Sequence, residues 1–243
     1  MSHADDAARA AAAAAAVQLV SPGMTIGLGS GRAVWKVVEL LGARFGAAAS
    51  PGGGAAAAGA PPRPLRAAVA SSRTDELVRA AGLEVVELDG SLELDLALDG
   101  ADEVDGSLRL IKGGGGALLR EKIVVSAARR FVVVAETRKR VARLGEGFRL
   151  PVEVVKFAWR DTRRRVAELL PEPTLRLRED GESYVTDEGH FILDCTLPGD
   201  ADLESLDAAL KQVPGVVEHG LFIGMASQAL LGRPDGEVDV LLR

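Results

Sequence analysis

The residues best suited to chemistry in this sequence lie between positions 99 and 121. Asp99 and Asp102 follow an apolar segment, Lys112 precedes four consecutive glycines, and Glu121 falls within a predicted helix. Such a segment contributes little to folding, because glycines lose much backbone entropy and carboxylates beside a buried strand are costly to desolvate. A segment that departs from the usual folding preferences at so many neighbouring positions usually forms a functional site.

The two aspartates and the lysine suit proton transfer. Asp99 and Asp102 flank a Gly-Ala turn, and repulsion together with burial raises the pKa of one carboxyl group in such a pair. An Asx turn with a helix cap explains Asp102 or Glu103 alone, but it explains the pair together with Lys112 less well. Acidic side chains also argue against a pocket for phosphate alone, because they repel it.

Glu121 is a weaker candidate on the pattern alone. Its neighbours Arg120 and Lys122 favour a solvated cluster of charges, although helix geometry keeps Glu121 near Lys112 and the glycines. Glu103 and Asp105 are interpreted as ordinary turn acids. Lys139 follows the predicted strand FVVVAE; the sequence alone favours a solvated residue, and the alternative is that it borders the same pocket edge.

Two glycine-rich segments can bind an anion. Residues 27–32, GLGSGR, lie between a predicted strand and a predicted helix, where backbone N–H groups attract a phosphate. Arg32 favours a phosphate over a ligand-free turn, and it stands where a dinucleotide fingerprint needs a third glycine. Lys112 with Gly113–Gly116 is the stronger signal, because a helix begins at once and anchors the loop.

Composition excludes several classes of protein. The 243 residues carry a net charge of -6, so no basic stripe indicates nucleic acid. One cysteine, Cys195, and scattered histidines exclude a disulfide and a clustered metal site. The alanine-rich N-terminus carries Asp5 and Asp6 instead of a basic segment, so we expect a helix, not a signal peptide. We also expect no membrane span and a cytoplasmic location.

The order of the predicted elements indicates two domains of an α/β protein. Strands and helices alternate in the first half, which predicts a Rossmann-like, mostly parallel sheet formed by residues 1–145 and 221–243. Both glycine-rich segments then lie at the carboxyl ends of strands, where such sheets bind ligands. Residues 146–220 follow the order β-α-β-β-α-β and predict a smaller ferredoxin-like α+β domain. Residues 46–64 are a low-complexity Gly/Ala/Pro stretch, predicted to be a flexible insertion.

With these residues identified, the sequence resembles the A-type ribose-5-phosphate isomerases. The most specific match is DGADEVD (99–105) followed by IKGGGGALLREKIV (111–124). Further matching segments follow in family order: GLGSG (27–31), ASS (70–72), LPVEVVKFAW (150–159), GHFILDC (189–195) and PGVVEHGLF (214–222). The resemblance covers most of the chain outside the N-terminal alanines and the insertion.

The resemblance implies interconversion of ribose 5-phosphate and ribulose 5-phosphate in the non-oxidative branch of the pentose phosphate pathway, with no metal or organic cofactor. Glu121 matches the base that moves a proton between C1 and C2 through an enediolate. Asp99 and Asp102 match acids that assist ring opening and proton transfer at the oxygens, and Lys112 matches the group that stabilises the enediolate charge.

The resemblance also implies a substrate-binding set and an oligomer. The positions that match the family's substrate-contacting segments are Ser30, Gly31, Arg32, Ala33, Asp99, Gly100, Ala101, Asp102, Lys112, Gly113, Gly114, Gly115 and Lys139. The family is oligomeric and often dimeric, so we expect a homodimer whose small-molecule partner is a sugar phosphate.

One departure from the family concerns the phosphate. The first loop of the family reads G-T-G-S-T, whereas this chain has Gly29-Ser30-Gly31-Arg32-Ala33, so two hydroxyl groups are replaced. Either Arg32 replaces them as a charge-assisted donor, or it points to solvent and affinity is reduced. Arg9 stands where the family often has a lysine directed at phosphate.

Three other functions fit parts of the pattern. A non-catalytic sugar-phosphate sensor has no need of the carboxylates. A Schiff-base aldolase would use Lys112 as its nucleophile. A CoA transferase with a glutamyl nucleophile would need a nucleotide-binding segment, and none is evident in the sequence.

Overall fold

The computed structural model describes residues 3–46 and 65–243, so the predicted insertion lies, from residue 47 onward, outside the described residues. The helices within these ranges are α1 His3–Val17, α2 Arg32–Phe45, α3 Ser72–Ala80, α4 Leu118–Ser126, α5 Trp159–Val166 and α6 Leu203–Lys211. The strands are β1 Thr25–Leu28, β2 Arg66–Val69, β3 Glu84–Val85, β4 Leu96–Asp99, β5 Glu103–Val104, β6 Leu110–Ile111, β7 Phe131–Glu136, β8 Leu150–Val154, β9 Thr174–Leu175, β10 Phe191–Cys195, β11 Val216–His219, β12 Leu221–Phe222, β13 Gln228–Gly232 and β14 Val238–Leu242.

A seven-stranded sheet forms the centre of the molecule, with the strand order β14-β13-β7-β4-β1-β2-β3. All neighbouring pairs are parallel except β13 with β14. Strands β1, β4 and β7 are buried along their whole length, as expected of parallel strands covered on both faces. The mostly parallel α/β sheet predicted from the alternating pattern is thus confirmed.

The alanine-rich N-terminal segment is the helix α1, as the acids in its first turn predicted. Its alanines allow a close approach to the central sheet, and Ala12, Ala13 and Ala16 are fully buried. At Gly232 of β13 a Cβ atom would overlap the carbonyl of Ala8, so the two backbones touch there. This packing fixes the position of Arg9, which is also buried.

A second, four-stranded antiparallel sheet has the order β11-β8-β10-β9. Together with α5 and α6 it follows the predicted sequence β-α-β-β-α-β. It has its own apolar core, in which Cys195 is fully buried and burial raises the pKa of the thiol to about 12. The exact limits of a domain at residues 146–220 remain a prediction.

A third sheet, β12-β6-β5, is not predicted by the sequence, because strands of two residues show no periodicity. It brings the segment after the second sheet beside the loop that carries Lys112. The interpretation of Glu103 as a turn acid is wrong: it lies buried in β5, and its carboxylate accepts from the amides of Gly145 and Gly147, each at 2.6 Å. Asp105 is a turn acid, as predicted, and accepts from the amides of two residues that follow it.

Strand β3 at the edge of the central sheet is short, because only Glu84 and Val85 pair with β2.

Among the helices in the described ranges, none is long and apolar enough to cross a bilayer.

Candidate active site

A cavity of about 510 Å³ opens where β1, β4 and β7 end. These strands are parallel, so the residues that follow them converge at one edge of the sheet, where such folds bind ligands. The sequence-predicted residues that line the cavity are Ser30, Gly31, Arg32, Ala33, Gly100, Ala101, Asp102, Lys112, Gly113, Gly114, Gly115, Glu121 and Lys139. The chemistry-bearing positions are thus brought together, with Asp99 directly behind the lining.

Three buried charges form the centre of the site. The Lys112 Nζ atom lies 2.9 Å from Asp99 Oδ2 and 3.3 Å from Glu121 Oε2. It also donates a hydrogen bond to the carbonyl of Gly100 at 2.8 Å. One ammonium group therefore holds two carboxylates within a single ion cluster.

Asp99 is the last residue of β4 and has no exposed surface. Its Oδ1 atom accepts from the amides of Gly100 at 2.7 Å and Ser30 at 3.3 Å. A Cβ atom at position 29 would overlap this carboxyl group, so only glycine fits there. Gly29 of the first glycine-rich segment thus makes room for Asp99.

Glu121 lies in the first turn of α4, which begins directly after the glycine loop. The first turn of a helix favours a negative charge, and the carboxyl group faces the cavity with only 5% of the residue exposed. The predicted solvated cluster is wrong for both Glu121 and Lys122. Lys122 is buried and donates to Glu218 and to two backbone carbonyls, because β11 and β12 cover this side of α4.

Burial and neighbouring charge determine the protonation of the cluster. Burial raises the pKa of Glu121 to about 8; the charge of Asp99 adds to this rise, and Lys112 opposes it. Burial also raises the pKa of Asp99, against the effect of Lys112. For Lys112 burial acts to lower the pKa, but Asp99 and Glu121 outweigh it and raise the pKa. The lysine is therefore protonated at neutral pH, and Glu121 can gain or lose a proton there.

Asp102 lines the same cavity as this cluster, and its charge acts on both Lys112 and Glu121. Its Oδ2 atom accepts from the amide of Gly114 at 2.7 Å, and the Nζ atom of Lys139 lies 3.9 Å from its Oδ1 atom. Lys139 lines the cavity with a side chain that is 21% exposed, so it borders the pocket edge, the alternative that the sequence left open. Its position after the carboxyl end of β7 is the feature of the sequence that indicates a place beside the cavity.

Cationic side chains surround the outer part of the cavity. Arg9 donates to Glu136 Oε1 at 2.7 Å and to Asp6 at 2.7 Å. Helix α2 begins at Arg32, and its cap residue Gly31 provides no side-chain hydrogen bond. Arg32 and Arg138 complete this part of the lining. The sequence did not predict Arg138 and Glu136 as site residues. Glu136 ends β7 and Arg138 follows it, and this position at the carboxyl end of the strand is the signal that could have identified them.

The part of the chain that the structure describes contains no group of three or more His, Cys, Asp or Glu side chains placed to hold a metal ion. The cavity offers a carboxyl group of raised pKa, a fixed ammonium group and a second carboxylate. The fold and this site define an α/β enzyme with acid–base groups beside a cationic pocket.

Comparison with known proteins identifies the family. Residues 67–236 match the model of ribose 5-phosphate isomerase A (phosphoriboisomerase A). The ribose-5-phosphate isomerase A of Roseiflexus castenholzii is 48% identical over 96% of this chain and 94% of its own length. That of a Synechococcus species is 44% identical over 97% of both. The chain belongs to the ribose 5-phosphate isomerase A family and is an isomerase, which confirms the resemblance.

Solved structures agree with this assignment. Ribose 5-phosphate isomerase A of Methanocaldococcus jannaschii superimposes with a TM-score of 0.86 at 33% identity, covering 98% of this chain and 100% of that one. A D-ribose-5-phosphate isomerase in complex with phospho-erythronic acid superimposes with a TM-score of 0.88 at 30% identity, covering 98% and 99%. The fold is therefore that of the family over nearly its full length.

Proposed function

We propose that this chain interconverts ribose 5-phosphate and ribulose 5-phosphate through an enediolate, with Glu121 as the base. The observation that carries the proposal is the convergence of Glu121, Lys112 and Asp102 on one cavity. Membership of the family supports the substrate pair. The reaction would serve the non-oxidative branch of the pentose phosphate pathway.

The proton transfer needs one base that reaches two adjacent carbons. In the open-chain aldose, Glu121 removes the proton from C2. The electron pair of that C–H bond forms the C1–C2 double bond, and the π pair of the C1 carbonyl moves onto the C1 oxygen. Glu121 then returns the proton to C1, while the C2 hydroxyl loses its proton and the C1 oxygen gains one. A pKa of about 8 suits both halves of this cycle, since the best base has a pKa near the working pH.

Lys112 and Asp102 serve the oxygens. The ammonium group of Lys112 is held in place before the reaction begins, so it stabilises the enediolate charge without reorganisation. Asp102 lines the cavity and can exchange protons with the two substrate oxygens and with the ring oxygen during ring opening. Asp99 has no exposed surface, so we assign it to fixing Lys112 and raising the pKa of Glu121. The direct acid role expected for Asp99 remains a prediction.

The phosphate end of the substrate would lie against the cationic part of the cavity. Arg9, Arg32 and Lys139 line it, and the N-terminus of α2 opens towards it. A relative was solved in complex with phospho-erythronic acid, which carries a phosphate and a planar carboxylate, and this supports a phosphorylated ligand for the cavity. The planar carboxylate resembles the oxygen pair of an enediolate, so the acid is a suitable probe for this chain.

A Schiff-base aldolase is disfavoured by the state of Lys112. A lysine must lose its proton to attack a carbonyl group, whereas the two carboxylates raise the pKa of this one. Borohydride treatment in the presence of sugar phosphate should therefore trap no covalent adduct.

The proposed reaction is tested by NMR on purified protein with ribose 5-phosphate and no added cofactor. We expect ribulose 5-phosphate to appear until both sugars reach equilibrium. Unchanged ribose 5-phosphate would contradict the proposal. We also propose, from the family alone, that the protein is a cytoplasmic homodimer, which sedimentation and localisation measurements would test.

A further inference from the structure

The peptide group between Gly113 and Gly114 is held at both ends. Its N–H donates to Asp102 Oδ2 at 2.7 Å, and its carbonyl accepts from Nη1 of Arg176 at 2.7 Å. The N–H and the carbonyl of a trans peptide lie in one plane and point in opposite directions. The two hydrogen bonds therefore fix the orientation of this plane between Arg176 and Asp102.

Arg176 is itself fixed by the second sheet. It follows β9, and its guanidinium group forms two hydrogen bonds with the carboxylate of Asp194 on β10, one from Nε at 2.9 Å and one from Nη2. Such a two-pronged pair determines the plane of the guanidinium group. Only 13% of the Arg176 side chain is exposed, so solvent competes little for its donors.

Tyr184 holds the same loop beside Arg176. Its hydroxyl group donates to the carbonyl of Gly115 at 2.9 Å, and its ring lies 5.9 Å from the Arg176 guanidinium. Arg176 reaches the carbonyl of Gly114 as well, at 3.2 Å. Three consecutive carbonyls of the glycine loop therefore accept hydrogen bonds from the segment between β9 and β10, while the amide of Gly114 is directed at Asp102.

We propose that Arg176 is a positioning residue for the isomerase reaction and that it orients the Asp102 carboxylate through the Gly113–Gly114 peptide group. The inference rests on the proposed function, since Asp102 matters only if substrate oxygens meet it. A hydrogen bond to the carbonyl of a peptide also strengthens its N–H as a donor. Without Arg176 the peptide plane can rotate, and the Asp102 carboxylate loses its fixed direction.

The test is a double-mutant cycle between Arg176→Met and Asp102→Asn. Methionine keeps an unbranched chain but removes every donor. We expect Arg176→Met to lower kcat/KM by about tenfold to a hundredfold, the cost of misplacing a reacting group. In the Asp102→Asn background the same change should lower it less than threefold, because the group that Arg176 orients is already altered.

The matched control is Arg178→Met, two residues further along the same hairpin. Arg178 is 55% exposed and pairs with Asp180 alone among the ion pairs of the described residues, so activity should stay within twofold of the parent. If Arg176→Met lowers kcat/KM by the same factor in the parent and in Asp102→Asn, the two effects are independent. That result would overturn the inference, since a purely structural effect does not depend on Asp102. An Arg176→Met variant that stays within threefold of the parent would also overturn it.

Tyr184→Phe keeps the inference testable if Arg176→Met does not fold. This variant loses one hydroxyl group, and we expect kcat/KM to fall several-fold in the parent and to change little in Asp102→Asn. Equal reductions in both backgrounds would contradict the inference. An inactive parent protein overturns the proposed function and this inference together, whereas an active parent with independent effects overturns only the inference.

Discussion

Glu121 has the raised pKa that a working base needs, and the cause is its position. Burial and Asp99 raise the pKa to about 8, and Lys112 opposes them. As the pH falls through about 8, the free enzyme gains a proton on Glu121 and so loses the proposed base. We therefore predict that kcat/KM decreases tenfold per pH unit below this value, since kcat/KM reports the free enzyme. A profile that stays flat down to pH 5.5 would show that the base has an ordinary carboxyl pKa.

Arg32 is the residue at which this chain departs from the family loop. It lines the cationic part of the cavity, where its proposed role is to bind phosphate and not to transfer a proton. We predict that Arg32→Ala raises KM for ribose 5-phosphate about tenfold or more, as expected for a lost charged hydrogen bond, and changes kcat less than threefold. Arg73→Ala is the control, because Arg73 is exposed and pairs with Glu76 on the surface. Equal losses in kcat and KM would assign Arg32 to another role.

Among the elements, β1 and β4 end so close together that the residue after β1 leaves room only for the side chain that ends β4. Gly29 follows β1, and a side chain there would overlap the carboxyl group of Asp99. We predict that Gly29→Ala displaces Asp99 from Lys112 and lowers kcat/KM about a hundredfold, with a lower Tm.

Gly106 provides the matched control for this substitution. A Cβ atom at Gly106 meets nothing within 4 Å, so Gly106→Ala should leave activity and Tm nearly unchanged. Steady-state kinetics and thermal unfolding of the two variants measure the difference. Normal activity in Gly29→Ala would show that the Asp99 carboxyl can move without consequence.

At the scale of the whole molecule, the sequence predicted the parallel sheet, the order of elements in the second sheet and the residues that meet in the cavity. Strand and helix periods are local, and parallel strands share one carboxyl edge, so the sheet and the residues after β1, β4 and β7 follow from the pattern. Lys139 lines the cavity for the same reason, although its neighbours suggested a solvated residue. The roles of Lys112 and Glu121 came from the family resemblance, because both residues follow β6 of the third sheet.

Long-range pairing is what the sequence could not predict. The third sheet consists of strands of two residues, and it buries Glu103. Strands β11 and β12 together bury Lys122. Both residues look like surface charges when only their neighbours are considered. Likewise, nothing near Arg176 in the sequence indicates that it donates to a loop more than sixty residues earlier. Such contacts depend on how the sheets pack against each other, and no local period encodes that packing.

In the proposed mechanism Glu121 carries the proton between C1 and C2, a role that the substitution Glu121→Gln removes. Glutamine keeps the size of the side chain but cannot accept this proton, so kcat should fall by about a hundredfold to ten-thousandfold. Binding of phospho-erythronic acid, measured by calorimetry, should remain within about tenfold of the parent, and the exposed control Glu39→Gln should behave like the parent. Turnover within tenfold of the parent, or loss of binding together with turnover, would contradict the role of Glu121 as the base.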